Sequence, residues 1–390
     1  MEDRVSRRRF LTTAGTAVAL SSAGCSQLPG GIGQNSGVGR TIGERDESQP
    51  DEWPTLGQNP KNTKFNPGGV GPKEDPDIDW TVDSEGIFAP PVISDGTIAL
   101  NGVRELLALN SDGTQRWNVE HNGPFDDARP YPYSSLVTED IVCSSIWGED
   151  GPMKMVAYSH TGNLLWEIDG SDSSYPLTPL ITYSDGTLYA STRNDIQSIN
   201  PSDGEVLWSA GDTFIQLVVT DDLVLAHPQD DSLVTFSKDN GEREWEFDTL
   251  GGNIPRPVVN DETVFVAYGN DMVGLNLEDG SISMEATDSF GGEFAFVDDV
   301  IIEPDEDTLR AYDLQREEVL WEQEYSASLN PPAIADGVAY VGGEDKRIRG
   351  IEIASGDELW SRQLEDDVMR PVVAQGRVLA VSGDTLYSLS

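Results

Sequence analysis

The chain is predicted to be all-β, an eight-bladed β-propeller of four-stranded antiparallel blades closed by an N-terminal strand that completes the C-terminal blade. The first observation is a hairpin phrase. Residues 198–208, SINPSDGEVLW, read as a strand, a tight Asp203-Gly204 turn and a second strand ending on a large aromatic residue. Asp-Gly between alternating apolar runs is a strong hairpin signal, because glycine accepts the positive φ such turns require. The phrase recurs as ALNSDGTQRW (108–117), AYSHTGNLLW (157–166), TFSKDNGEREW (235–245), AYDLQREEVLW (311–321) and GIEIASGDELW (350–360). In GLNLEDGSISM (274–284) Met284 stands where tryptophan is expected, and Trp80 heads the series. Trp80, Trp117, Trp166, Trp208, Trp245, Met284, Trp321 and Trp360 are spaced by 37, 49, 42, 37, 39, 37 and 39 residues, a period that fits four short strands per blade.

A second phrase falls between the first ones. APPVISDGTIAL (89–100), RPVVNDETVFVA (256–267), NPPAIADGVAYV (330–341) and RPVVAQGRVLAV (370–381) share a proline, an apolar pair, a polar turn and another apolar strand. Looser copies are TPLITYSDGTLYA (178–190), SSLVTEDIVC (134–143), QLVVTDDLVLA (216–226) and FAFVDDVIIE (294–303). Two hairpins per repeat make a four-stranded meander, which buries its faces only by stacking on its neighbours. The third observation is the closure. The final repeat holds RPVVAQ, RVLAVSG and TLYSLS, then stops one strand short, while DIDWTVD (77–83) has no hairpin partner before it. Residues 77–83 are therefore expected beside residues 385–390, covering an open edge.

These phrases resemble the PQQ-type propeller repeat, whose consensus is an A-x-D-x-x-T-G-x-x-x-W hairpin. That repeat occurs in quinoprotein dehydrogenases and in the propeller lipoprotein of the bacterial outer-membrane assembly machine. WPTLGQNPKNTKFNP (53–67) also resembles the segment preceding the first blade in such proteins. The resemblance spans residues 53–390 and implies a fold; its shared residues are turn and packing residues, which carry no chemistry of their own.

The order of segments follows. Residues 1–24 read as a signal peptide, with Arg7 and Arg8 in SRRRFL resembling a twin-arginine motif before a mildly apolar run. That run is too short to span a bilayer. Ser22-Ala23-Gly24-Cys25 resembles a lipobox with Cys25 as the lipidated residue, although Ser22 replaces the usual leucine. Residues 25–52, rich in Gly, Ser and Gln, read as a disordered tether. Residues 53–74 are expected to pack irregularly on the propeller, and 75–390 to form its blades.

Composition sets the environment. The chain has 69 acidic against 25 basic residues, a net charge of −44, and only six of the bases are lysine. Removing a signal peptide of net charge +2 leaves −46. Such self-repulsion is tolerable where salt screens it, so the composition is read as halophilic and, with twin-arginine export, archaeal. The field excludes nucleic acid as a partner. The expected location is the outer face of the cytoplasmic membrane, with the protein a monomer held by Cys25.

Candidate chemistry is sparse. With Cys25 assigned to lipid, Cys143 stands alone on an apolar strand, a packing position. Asp305-Glu306-Asp307 and Glu365-Asp366-Asp367 follow no calcium-loop pattern, and His121, His160 and His227 fall in separate repeats without metal-ligand spacing. The quinoprotein resemblance implies a quinone over the axis between a tryptophan and a vicinal disulfide, with calcium and a catalytic aspartate. The chain has two cysteines, which are not adjacent, and no C-x-x-C-H motif, so neither PQQ nor calcium is expected and no catalytic residue is assigned. The repeat tryptophans are read as wedges between blades. A non-catalytic binding or scaffold module for a protein or small ligand is the preferred function, with a PQQ-dependent dehydrogenase as the alternative. The residues ahead of the second phrase, Arg129, Tyr175, Arg256, Asn330 and Arg370, should ring the funnel. Three arginines there fit an anionic or carboxylate-bearing partner, or else they neutralise nearby acids. The assembly role implied by the resemblance does not transfer to a cell without an outer membrane.

The charge makes one prediction. Unfolding midpoints should climb steeply between low salt and molar KCl as screening relieves carboxylate repulsion; a midpoint flat across that range sinks the halophile inference.

Overall fold

Strand pairing in the computed structural model gives eight four-stranded antiparallel sheets arranged as an eight-bladed propeller. The structure describes residues 42–390 apart from 85, 87–88, 103, 122–134, 148–152, 170–179, 192–194, 212–213, 229–231, 249–255, 269–270 and 287–291. Blades I to VII occupy residues 92–120, 135–169, 181–211, 214–248, 258–286, 295–324 and 333–363. Blade VIII joins residues 372–389 to Ile78–Asp83.

Within a blade, burial follows position. The three inner strands are covered on both faces by the adjoining blades, so they are buried along their whole length, as in Thr97–Asn101 and Val338–Gly342. The outermost strands alternate, as in Gln115–Glu120, because only one face meets a neighbour. The apolar clusters accordingly lie between blades. One joins Leu188 and Ala190 of blade III to Cys143 and Ala157 of blade II; another joins VIII to both VII and I. Asp95-Gly96, Asp185-Gly186 and Asp336-Gly337 all have positive φ at both positions, the hairpin geometry their sequence demands.

The tryptophans lock each blade to the next. Nε1 of Trp80, Trp117, Trp166, Trp208, Trp245 and Trp321 donates to a carbonyl in the outer turn of the following blade, at 2.7–3.3 Å. The same turn presents a glycine to the ring face. A Cβ on Gly113, Gly162, Gly204, Gly241, Gly280 or Gly356 would lie 2.6–2.9 Å from the preceding blade's tryptophan. The residue opposite the indole within its own blade is small: Ala108 for Trp117, Ala157 for Trp166, Ser198 for Trp208 and Gly350 for Trp360. A register shift follows each of these pairs, bending the outer strand over its neighbour.

The exception at Met284 is consistent with this. The turn that should cap it contains no glycine; Glu317 occupies the position with φ 57°. Tryptophan and glycine are absent together, and Met284 and Leu314 both pack against the apolar cluster between blades V and VI.

Closure follows the expected pairing. Trp80 stands opposite Ser388, and Val82 opposite Leu386. Because blade VIII takes its outer strand from the other end of the chain, it has no outer turn to offer Trp360. Pro72 replaces it, accepting from Trp360 Nε1 at 2.8 Å.

The segment between tether and first blade is more ordered than composition suggested. Residues 42–52 were expected to belong to the tether, yet Ile42 is buried between blades VI and VII and the Gly43 amide donates to Asp298 at 2.7 Å. One apolar side chain in a polar stretch is enough to seat it. Residues 53–66 then thread the axis, meeting the innermost strands almost one blade at a time. Trp53 exchanges backbone hydrogen bonds with Ile93 of blade I, and the carbonyls of Pro54, Pro60, Lys61, Thr63 and Lys64 accept from Val137, Val219, Val259, Phe296 and Ile334 in turn. Asn66 Nδ2 reaches the Val373 carbonyl of blade VIII.

Two tests follow. Deleting residues 77–83 should lower the unfolding midpoint more than Leu207→Ser on the exposed rim; equal effects would refute the closure. Gly186 and Gly204 both have positive φ, but only Gly204 faces an indole. Gly186→Ala should cost about 1 kcal/mol of left-handed strain and Gly204→Ala about 1–3 kcal/mol more, measured by urea unfolding.

Candidate functional site

The innermost strands are short, so their N-terminal ends converge on the axis just above the thread. Leu56, Pro90, Leu180, Gln216, Arg256, Glu293, Asn330, Pro331, Met369 and Arg370 line a cavity of about 340 Å³ there. Among the described residues seven of the blades contribute a residue at or just before the first strand, and the thread contributes Leu56. Of the five residues expected to ring the funnel, Arg256, Asn330 and Arg370 come together in this cavity, while Arg129 and Tyr175 lie outside the described residues. So do Cys25, Arg7 and Arg8.

The floor is charged. Lys64, fully buried, donates from Nζ to the Phe294 carbonyl at 2.8 Å and lies 4.0 Å from a Glu293 carboxylate oxygen. Arg370 hydrogen-bonds the same carboxylate through a terminal nitrogen, and its buried Nε has no partner among the described residues. Arg256, 5% exposed, donates from Nε to the Leu217 carbonyl at 2.9 Å. Asn330 is held by the Val368 carbonyl at 2.8 Å.

These groups set one another's protonation. Burial pushes the Lys64 ammonium down to about 7, against the opposing attraction of Glu293. Burial likewise lowers Arg256 to about 10. For Glu293 burial acts to raise the value, but the fields of Arg370, Lys64 and Arg256 outweigh it and hold the carboxyl at about 2. With Lys64 protonated, this buried ammonium and the two cavity arginines set three cations against Glu293, an excess of positive charge in a chain of net −44.

The remaining candidates stay apart. Cys143 is buried in the core between blades II and III, and burial pushes its thiol far above the ordinary range. His160 is held between Thr97 Oγ1 and the Thr138 carbonyl, and His227 against the Ser232 carbonyl. Asp305–Asp307 and Glu365–Asp367 are exposed. Among the described residues no three His, Cys, Asp or Glu side chains converge as a metal centre requires.

The chain matches the PQQ_2 family, described as outer membrane protein assembly factor BamB, over residues 74–212, 152–300 and 283–390. It belongs to that family. The outer membrane protein assembly factor BamB of Moranella endobia (strain PCIT) is 23% identical over 212 residues, half of this chain and 53% of that protein. The Yersinia pestis protein of the same name is 25% identical over 253 residues, 55% of this chain and 63% of that one. The chain thus spans between half and two thirds of these relatives' length. Among solved structures, BamB from Moraxella catarrhalis superposes with TM-score 0.63 at 14% identity, covering 81% of this chain and 99% of that one. Quinohemoprotein alcohol dehydrogenase from Comamonas testosteroni superposes at 0.70 with 12% identity, covering 87% and 80%. At those identities the likeness is one of fold alone.

Three charged or polar groups of this PQQ_2 propeller's cavity escaped the sequence reading: Lys64, Gln216 and Glu293. Gln216 and Glu293 hold the same position in their repeats as Arg256 and Arg370, but in copies without the proline that marked the others. Lys64 has no repeat to announce it.

Lys64 also makes the site's pH dependence testable. Its folded value of about 7 lies below the ordinary 10.5, so between them the unfolded chain binds the extra proton. The cost of burying the ammonium is therefore full below pH 7 and fades as pH rises toward 10.5. Wild-type stability should gain over that window relative to Lys64→Met, compared by urea midpoints; parallel pH profiles would show that burial does not lower the Lys64 ammonium below its ordinary value.

Proposed function

We infer that this chain is a non-catalytic binding or scaffold propeller, tethered to the outer face of the cytoplasmic membrane through lipid at Cys25, that receives a partner at the axial cavity. The observation that carries this reading is the arrangement of the two ends of the axis. The tether reaches the body beside Asp298 and Gly337, which lie in inner-hairpin turns at the C-terminal ends of the first strands. The cavity lies at the opposite, N-terminal ends of those strands. The thread occupies the axis between them. The end of the axis at which residues 42–43 are seated is thus not the end that carries the cavity.

The relatives named as assembly factors support a scaffold rather than a catalyst. The quinohemoprotein likeness keeps a dehydrogenase as the second reading. Among the described residues the cavity offers one carboxylate, Glu293, and Arg370 and Lys64 already hold it. It therefore has no unengaged base to accept a substrate proton.

Three measurements test this. Cys25→Ser should shift the protein from the membrane fraction to the medium or leave it unprocessed. Affinity purification from native membranes should recover a partner with the wild-type chain and lose it with Arg370→Glu; retention on the variant refutes docking at the cavity. Incubation with pyrroloquinoline quinone and calcium should yield no bound chromophore and no alcohol-dependent dye reduction, and stoichiometric binding would restore the enzyme reading.

A further inference from the structure

Resting on the reading of this propeller as a binding module, we propose that the axial cavity is a recognition site for a pair of carboxylates carried on a short carbon skeleton. Two observations about charge lead to this. Among the described residues Lys64, Arg256 and Arg370 face a single internal carboxylate, Glu293, so two positive charges have no counter-ion there. Burying cations without partners is costly, and proteins normally pair them. Here they are concentrated on the axis of a chain that carries 69 acidic residues and could supply a second partner at almost any position. Excess positive charge in such a sequence is best explained by an anion from outside.

The donor geometry agrees. The terminal nitrogens of Arg256 have no hydrogen-bond acceptor among the described residues; only Nε is engaged, by the Leu217 carbonyl. Arg370 gives one terminal nitrogen to Glu293 and keeps a buried Nε unpaired. Two guanidinium groups with unused coplanar N–H donors suit planar, two-oxygen acceptors. The cavity also has apolar walls, Leu56, Leu180, Pro331 and Met369, which an inorganic anion would leave unused and a carbon skeleton would cover. Its volume of about 340 Å³ is at the lower end of the range for small-molecule sites. The side chains of Arg370 and Glu293 retain 15% and 30% exposure, so the cavity reaches solvent.

Lys64 supplies the strain that marks a built site. It sits at φ 56°, in the left-handed region, with its ammonium fully buried. Either feature alone is disfavoured, and a residue kept in both conditions points to use. A bound dianion adds to the field of Glu293 and opposes that of Arg256 and Arg370 on Lys64, so binding should draw a proton onto it.

The carboxylates can come from a free organic acid or from an acidic segment of a protein partner. The test separates these sources. The full chain in molar KCl is titrated calorimetrically with succinate, with dimethyl succinate, with sulfate, and with a blocked peptide bearing two adjacent glutamates. Saturable 1:1 binding of succinate assigns the free acid; binding of the peptide alone assigns the protein segment. In either case affinity should fall at least tenfold in Arg256→Gln, less in Arg256→Lys, and not at all in Arg243→Gln on the outer rim. It should also weaken as pH rises from 6 to 8, and Lys64→Met should abolish that dependence. Absence of binding by both carboxylate probes overturns the proposal, as does equal binding of sulfate or of the uncharged ester. Should the titrations fail while the native-membrane partner is still captured, the carboxylate site falls and the binding-module reading stands. Loss of that partner with succinate still bound gives the converse.

Discussion

A four-stranded blade leaves two sheet faces and an outer edge to be covered, and the pairing of Ile78–Asp83 with Thr385–Leu389 makes that cover continuous around the ring. Much else follows from this one ladder. It places the start of the propeller at the rim of blade VIII, far from the axis. It denies blade VIII an outer turn, so Trp360 must find its acceptor elsewhere, and Pro72 provides it. It also ties the two ends of the body together, so that unfolding one blade exposes an edge on another.

The tether meets the propeller at blades VI and VII, and the closing strand lies in blade VIII; between them residues 53–66 make a circuit of the axis rather than the direct crossing. That circuit satisfies backbone groups on the innermost strands that would otherwise face an empty channel. It also brings Lys64 to the axis, beside Glu293 and Arg370. The acidic exterior and the cationic centre are thus consequences of different parts of the chain. The exterior charge is spread over every blade, where salt screens it. The central charge is buried, where screening is weak.

The lock between blades shows how local sequence and packing constrain each other. Where an indole meets the outer turn of a following blade, that turn has a glycine against its face; at Met284 the following turn has no glycine and Glu317 takes the left-handed position. The shorter, more pliable methionine leaves room that an indole does not.

Sequence alone determined the blade number, the strand order, the closing strand and three members of the axial cavity, Arg256, Asn330 and Arg370. It could do so because these properties repeat: a turn, a small residue or a proline recurring about every forty residues is legible without coordinates. Only the tertiary structure decided that Ile42 seats the end of the tether, that residues 53–66 circle the axis, and that Lys64 and Glu293 complete the charged floor. Those residues occur once, or in copies too worn to align, and their environment is assembled from seven or eight blades at the same time. Burial at the axis is a property of the closed ring. No window of sequence contains it.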